Sequence, residues 1–162
     1  MISAVRIMFK LICVGQKMPA WVTEGFEEYA KRLPASYRLN LIEIPLRKRT
    51  KNADIARLQR EEGEQMLSHV ISQHHLVTLD GRGNAWSTEQ LAQQLIHWQQ
   101  NYTEVALLVG SPEGLAENCL QRARQSWSLS ALTLPHPLVR IIVAEQIYRA
   151  WSMIQHHPYH RA

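Results

Sequence analysis

Residues 127–161 read WSLSALTLPHPLVRIIVAEQIYRAWSMIQHHPYHR. They hold a strand-like run from Trp127 to Leu134, a Pro135-His136-Pro137 turn and one long helical pattern. A tail follows, carrying His156, His157, Tyr159, His160 and Arg161. The helical pattern has more apolar surface than one buried face uses. Leu138, Ile141, Ile142 and Glu145 follow helical spacing on one side, and Val139, Val143, Ile147, Ala150 and Ile154 cover much of the rest. A helix apolar nearly all round is buried nearly all round. In a small domain that predicts a second copy over the far side, and so a homodimer built on this helix. A central helix in a monomeric core is the alternative.

Outward from this stretch, the 162 residues predict one domain with a proper core, and the apolar content of 46% and charged content of 20% are those of a soluble globular protein. No apolar run approaches a membrane span, and the longest helical pattern is interrupted by Arg140, Glu145 and Arg149. MISAVRIMFKLICVG at the start is followed by no small-residue cleavage site and reads as a first strand, not a signal peptide. Cys13 and Cys119 lie in no Cys-x-x-Cys motif, which fits a reduced compartment, the cytoplasm, with two structural thiols. The net charge of +4 favours an anionic partner such as nucleic acid.

Strand and helix patterns alternate. A strand over Phe9 to Val14 leads to a helix with Val22, Phe26, Tyr29 and Leu33 at helical spacing, with Pro19 in its first turn. A second strand, Leu39 to Ile44, ends at Pro45, and the basic loop Arg47-Lys48-Arg49-Thr50-Lys51 follows. Asn52 is a good cap for the next helix, in which Gly63 has no evident reason. Leu76 to Leu79 is the third strand. Ser87 with Gln90 forms a capping box before Leu91, Leu95 and Trp98. Val105 to Val109 reads as a strand buried on both faces, and a short helix spans Asn118 to Gln125. The alternation predicts an α/β fold with a mostly parallel sheet flanked by helices.

In such sheets ligands bind outside the carboxyl ends of the strands. Three ends are conspicuous: Leu79-Asp80-Gly81, Val109-Gly110-Ser111 and Leu134-Pro135-His136. Together they would make a pocket for a flat, partly polar, nucleotide-like molecule held by backbone groups. Each loop taken alone is also plain turn chemistry. A dinucleotide fingerprint, a P-loop and a Gly-x-Ser-x-Gly elbow are all lacking. His136, His156, His157 and His160 match no compact zinc spacing, so no metal is expected. Tyr159 and Arg161 suit base stacking and phosphate contact in RNA, and His160 can move a proton near neutral pH. The basic loop, with Arg57 and Arg60, offers phosphate steering or is simply solvated. Glu145, an acid within an apolar helix, pairs with Arg149 or Arg140 or else faces a pocket at the dimer seam.

The run Trp127 to Pro137 with Leu138-Val139-Arg140 strongly resembles the RlmH family, bacterial SPOUT-class methyltransferases that modify a pseudouridine in large-subunit ribosomal RNA. The resemblance extends through Gly15-x-Lys17-Met18-Pro19-x-Trp21, Lys51-Asn52-Ala53-Asp54-Ile55, Glu62-Gly63-Glu64, Gly110-x-Pro112-Glu113-Gly114-Leu115 and Tyr148-Arg149-Ala150-Trp151-Ser152 to His157-Pro158-Tyr159-His160-Arg161. It covers essentially everything from Phe9 onward. Because members typically start near Met8, residues 1–7 are expected to be an N-terminal extension.

The resemblance implies a SPOUT-type fold with a C-terminal trefoil knot, against the general unknotted rule, and a homodimer. It implies S-adenosylmethionine bound by Leu79, Gly110, Leu129, Ser130, Ala131, Leu132, Thr133 and Leu134. The implied substrate is a pseudouridine of 23S ribosomal RNA, within the large subunit or the whole ribosome, methylated at N3. His160, His136 and Glu145 are the candidates for assisting loss of the N3 proton, with Tyr159, Arg161 and Arg140 on the substrate and residues 156–162 as a substrate-binding tail. A tail with so little apolar anchoring is expected to be mobile before RNA arrives. Relatives commonly carry a second glycine where this chain has Ser111, which would be strained if that position needed a positive φ. A non-catalytic ribosome-assembly dimer and a small-molecule methyltransferase are the rival readings.

Overall fold

Alternation within single strands separates two apolar layers. In β1 (Ile7–Val14), Phe9, Leu11 and Cys13 point to one face while Ile12 and Val14 point to the other. In β4 (Glu104–Val109), Val105, Leu107 and Val109 oppose Ala106 and Leu108 in the same way. A strand apolar on both faces must be covered on both, and the intervening segments supply the covers. The computed structural model describes residues 5–160.

The remaining elements are α1 (Ala20–Ala30), β2 (Tyr37–Ile44), α2 (Ile55–Leu67), β3 (His75–Ala85), α3 (Thr88–Asn101), α4 (Glu117–Arg122), β5 (Gln125–Ser128) and α5 (His136–Ile154). The five strands are ordered β2-β1-β4-β3-β5, and every pairing is parallel. Helices α1, α3 and α5 cover one face, with Phe26, Leu95, Trp98, Val143 and Ile147 in the core. Helices α2 and α4 cover the other, around Met66 and Cys119. Among the described residues no helix is long and apolar enough to cross a membrane. Both cysteines are free and buried, and burial raises their thiol pKa values to about 12 for Cys13 and about 11 for Cys119.

Several boundaries differ from expectation. The first strand starts at Ile7, which is buried, pairs with Tyr37 and donates its N–H to the Ser36 carbonyl, so the sheet takes in a residue assigned to the extension. Asp54 and not Asn52 caps α2, accepting from the Arg57 N–H at 3.1 Å. The capping box of Ser87 and Gln90 is present. The strand expected through Leu134 stops at Ser128. Residues 129–135 are apolar because they line a cleft, not because they join the sheet. The third strand instead runs past Asp80 to Ala85, with a register shift between Leu79 and Asn84.

Candidate cofactor cleft and C-terminal tail

With all strands parallel, every carboxyl end lies on one edge, and the irregular stretch of β3 after Leu79 meets the loops leaving β4 and β5 there. Together with the first turn of α5 they wall a cleft of about 890 Å³, within the usual range for small-molecule sites. Leu79, Gly110 and the whole run Leu129 to Leu134 line it, alongside Asp80, Ser111, Glu113, His136 and Val139. Stacked indoles, Trp86 on Trp127 at 5.7 Å, pack at the end of β5 where that run begins.

The local chemistry keeps backbone groups available. Ser130 Oγ accepts the Leu132 N–H at 2.9 Å, which turns the loop back on itself. Among the described residues, no backbone–backbone hydrogen bond engages residues 130–134. Leu132 is 75% exposed at the mouth. Gly110 opens a tight turn in which the Gly114 N–H donates to the Ser111 carbonyl at 2.8 Å, and a Cβ at Gly110 would lie 2.6 Å from the Gly114 carbonyl carbon. Ser111 is not among the positive-φ residues, so the serine carries no backbone strain. Its hydroxyl donates to Glu113 Oε2 at 2.9 Å.

Charge in the cleft is arranged by pairing. The Arg82 guanidinium holds the Asp80 carboxyl below the usual range, with both carboxylate oxygens engaged. Arg49 does the same for Glu113. His136 is half-buried and burial pushes its imidazole down, partly offset by a backbone group of Ser111. Its Nδ1 is buried without a partner among the described residues. A neutral imidazole beside a cleft can accept a proton.

Other expected site residues stand elsewhere. Arg140 is 2% exposed and donates to Glu43 Oε2 at 2.7 Å and to the Gly15 carbonyl at 2.8 Å. It ties α5 to the ends of β1 and β2 and presents nothing to RNA, a correction to its assignment as a substrate contact. Glu145 does not line the cleft. It accepts from Arg149 Nε at 2.8 Å and from the Tyr159 hydroxyl at 3.1 Å, so of the two partners expected it takes Arg149.

The tail folds as a short 3-10 turn, Pro158–His160, against α5 of its own chain. The Tyr159 ring lies 4.6 Å from that of Tyr148 and beneath the guanidiniums of Arg149 and Arg32. Aromatic and cation–π contacts supply the anchoring that the hydropathy of the segment did not suggest. Tyr159 and His160 therefore stand away from the cleft within one chain, and Arg161 lies outside the described residues. Among the described residues no three His, Cys, Asp or Glu side chains converge to hold a metal ion.

Asp80 was expected at the pocket only as part of a strand end, and neither its pairing with Arg82 nor that of Arg49 with Glu113 was singled out from sequence. Arg49 and Glu113 are 64 positions apart, and only the fold brings them together.

The sequence model for predicted SPOUT methyltransferases matches residues 7–160. The chain is 54% identical over 155 residues to the Ribosomal RNA large subunit methyltransferase H of Methylococcus capsulatus, covering 96% of this chain and 100% of that one. It is 59% identical over 152 residues to the protein of the same name in Pseudomonas putida, covering 94% and 98%.

Proposed function

The chain belongs to the SPOUT methyltransferase family, and from that premise we propose that it transfers a methyl group from S-adenosylmethionine to N3 of a pseudouridine in 23S ribosomal RNA, acting as a homodimer on the large subunit or the whole ribosome. The observation that carries this reading is the cleft. Eight residues expected to hold the cofactor, drawn from three separated segments, line one cavity of suitable size.

The residues fit the cofactor chemically. Leu79, Leu129 and Val139 offer apolar walls for a flat ring, and the backbone of 130–134, apart from the Leu132 N–H and the Ser130 carbonyl that serine hydroxyls engage, offers donors and acceptors for its polar edge. When bound, the cofactor's sulfonium supplies an activated methyl group, so the protein needs neither a covalent nucleophile nor a metal for the transfer. The chain's part is to hold donor and nitrogen in line and exclude water. His136 is the titratable candidate that the cleft itself holds, and its neutral imidazole takes up the N3 proton directly or through one water.

The tail completes the site from a second copy. Support comes from its distance from its own cleft and from the outer face of α5, where Leu138 is 39% exposed and Ile142 is half-buried. In this arrangement Tyr159 and Arg161 position the nucleotide and His160 lies near the reacting base, while Glu145 and Arg149 hold Tyr159. The trefoil threading is supported by family membership.

The test is methyl transfer from labelled S-adenosylmethionine to ribosomes from a strain lacking the modification. Intact ribosomes, free large subunits and protein-free RNA are compared, with the label assigned by nucleoside digestion. Label on N3-methylpseudouridine that vanishes when residues 159–161 are deleted is the expected result. Cofactor binding without label on any form would reject the substrate. Failure to bind cofactor would leave a ribosome-assembly role in its place.

A further inference from the structure

Arg49 joins two carboxylates from different parts of the chain. Nη1 donates to Glu62 Oε2 at 2.6 Å and Nη2 to Glu62 Oε1 at 2.9 Å. Nε donates to Glu113 Oε1 at 3.2 Å and Nη2 to Glu113 Oε2 at 3.1 Å. The two ends of this bridge differ. Glu62 is buried on α2 and also accepts the Arg47 N–H, so it is an anchor. Glu113 belongs to the Gly110–Leu115 turn that walls the cleft, where it also receives the Ser111 hydroxyl. Gln59 of α2 adds bonds from its Nε2 to the carbonyls of Glu113 and Gly114. The turn is thus fastened from outside by α2 and the loop before it.

We propose that Arg49 is a positioning residue that fixes the Gly110–Leu115 turn in the form that receives the cofactor, and so links cofactor binding to the cationic segment Arg47–Lys51. The inference rests on the functional reading above. Lys48 and Lys51 flank Arg49, are exposed, and form no salt bridge among the described residues. They remain available to RNA phosphate while Arg49 is committed inward. Phosphate held by these lysines acts on the same short segment that holds the turn, and such coupling is reciprocal: whatever RNA does to cofactor affinity, cofactor does to RNA affinity. A planar guanidinium can bridge two carboxylates in this way, whereas an ammonium cannot match both forks.

The test measures S-adenosylhomocysteine binding by calorimetry for the full-length wild type, R49K, E113Q and R49K/E113Q. R49K leaves a cation beside buried Glu62, and E113Q leaves the Arg49–Glu62 pair intact, so neither variant strands the buried carboxylate without a counter-charge. Each single variant should weaken binding by roughly tenfold, and the double variant should be no weaker than the worse single. In methyl transfer the effect should fall more on KM for the cofactor than on kcat. Single variants that bind within about twofold of wild type, or effects that simply add, would overturn the proposal while leaving the functional reading intact. Wild-type protein that binds no S-adenosylhomocysteine would overturn the functional reading, and this inference with it.

Discussion

His136 and Arg140 stand one turn apart on α5 and answer opposite demands. The first borders the cleft with a nitrogen left without a partner, and the second is sealed beneath the ends of β1 and β2 with a carboxylate and a carbonyl on its guanidinium. The sequence places both in one motif and cannot separate them, because burial is decided by neighbours 97 and 125 positions away. Replacing Arg140 by Met should lower stability by about 1–3 kcal/mol, since the Glu43 it abandons is partly solvated. E43Q should cost at least as much, because it strands a buried cation. Unfolding measurements decide this, and unchanged stability in R140M with lost RNA binding would restore the substrate role. For His136, H136Q should reduce kcat about a hundredfold while the protein still binds cofactor. A change within about twofold would move the proton acceptor to the tail of a second copy. Burial also holds the imidazoles of His75 and His136 below their ordinary value. The unfolded chain then binds protons near pH 6.5 that the folded chain refuses, so stability is complete above about pH 6.5 and falls as the pH drops below it. The slope of Tm between about pH 6.5 and 5 should be shallower in H75Q, and an unaltered slope would count against the depressed imidazole.

Among the elements, those whose evidence is local were legible. Period-two and period-3.6 patterns located the five strands and five helices, and the capping box fixed the start of α3. What failed depends on contact at a distance. The run after Ser128 has the composition of a strand but faces the cleft, and hydropathy does not distinguish a sheet partner from a ligand. Gly63 is the converse, a residue unexplained by its own helix. A Cβ there would lie 2.6 Å from Asn118 Oδ1 and 3.0 Å from Cys119 Sγ, so the glycine sets how closely α2 approaches α4. Gly63→Ala therefore opposes a helix-propensity gain of about 1 kcal/mol with overpacking of about 1–3 kcal/mol. Asn118 can swing away, but Cys119 is buried and cannot. We expect net destabilisation, read as a lower midpoint in urea, and a stabilised variant would mean that the interface between α2 and α4 yields.

For the whole molecule, the decisive fact is that one chain separates the cleft from the tail. The apolar circumference of α5 pointed to a second copy, and one chain buries Val143, Ala144, Ile147 and Ala150 of that helix while leaving Leu138 outside. Which cleft a tail serves is a question of symmetry. In a two-fold dimer each site would take its cofactor loops from one copy and its tail from the other. Two defective chains can then complement each other. One lacks residues 159–161 and has an intact cleft, while the other carries Gly110→Trp, which the turn cannot accommodate, and has an intact tail. Each homodimer should be inactive. A mixed dimer has one site with both halves sound, so random co-assembly should recover about a quarter of wild-type activity, half the dimers being mixed and each having one working site of two. Co-expression with two different affinity tags would isolate the mixed species and raise the yield to about half. Purified mixed dimers without activity would mean that the tail acts on the cleft of its own chain. It would then have to leave Tyr148 and Glu145 and cross the molecule before every turnover.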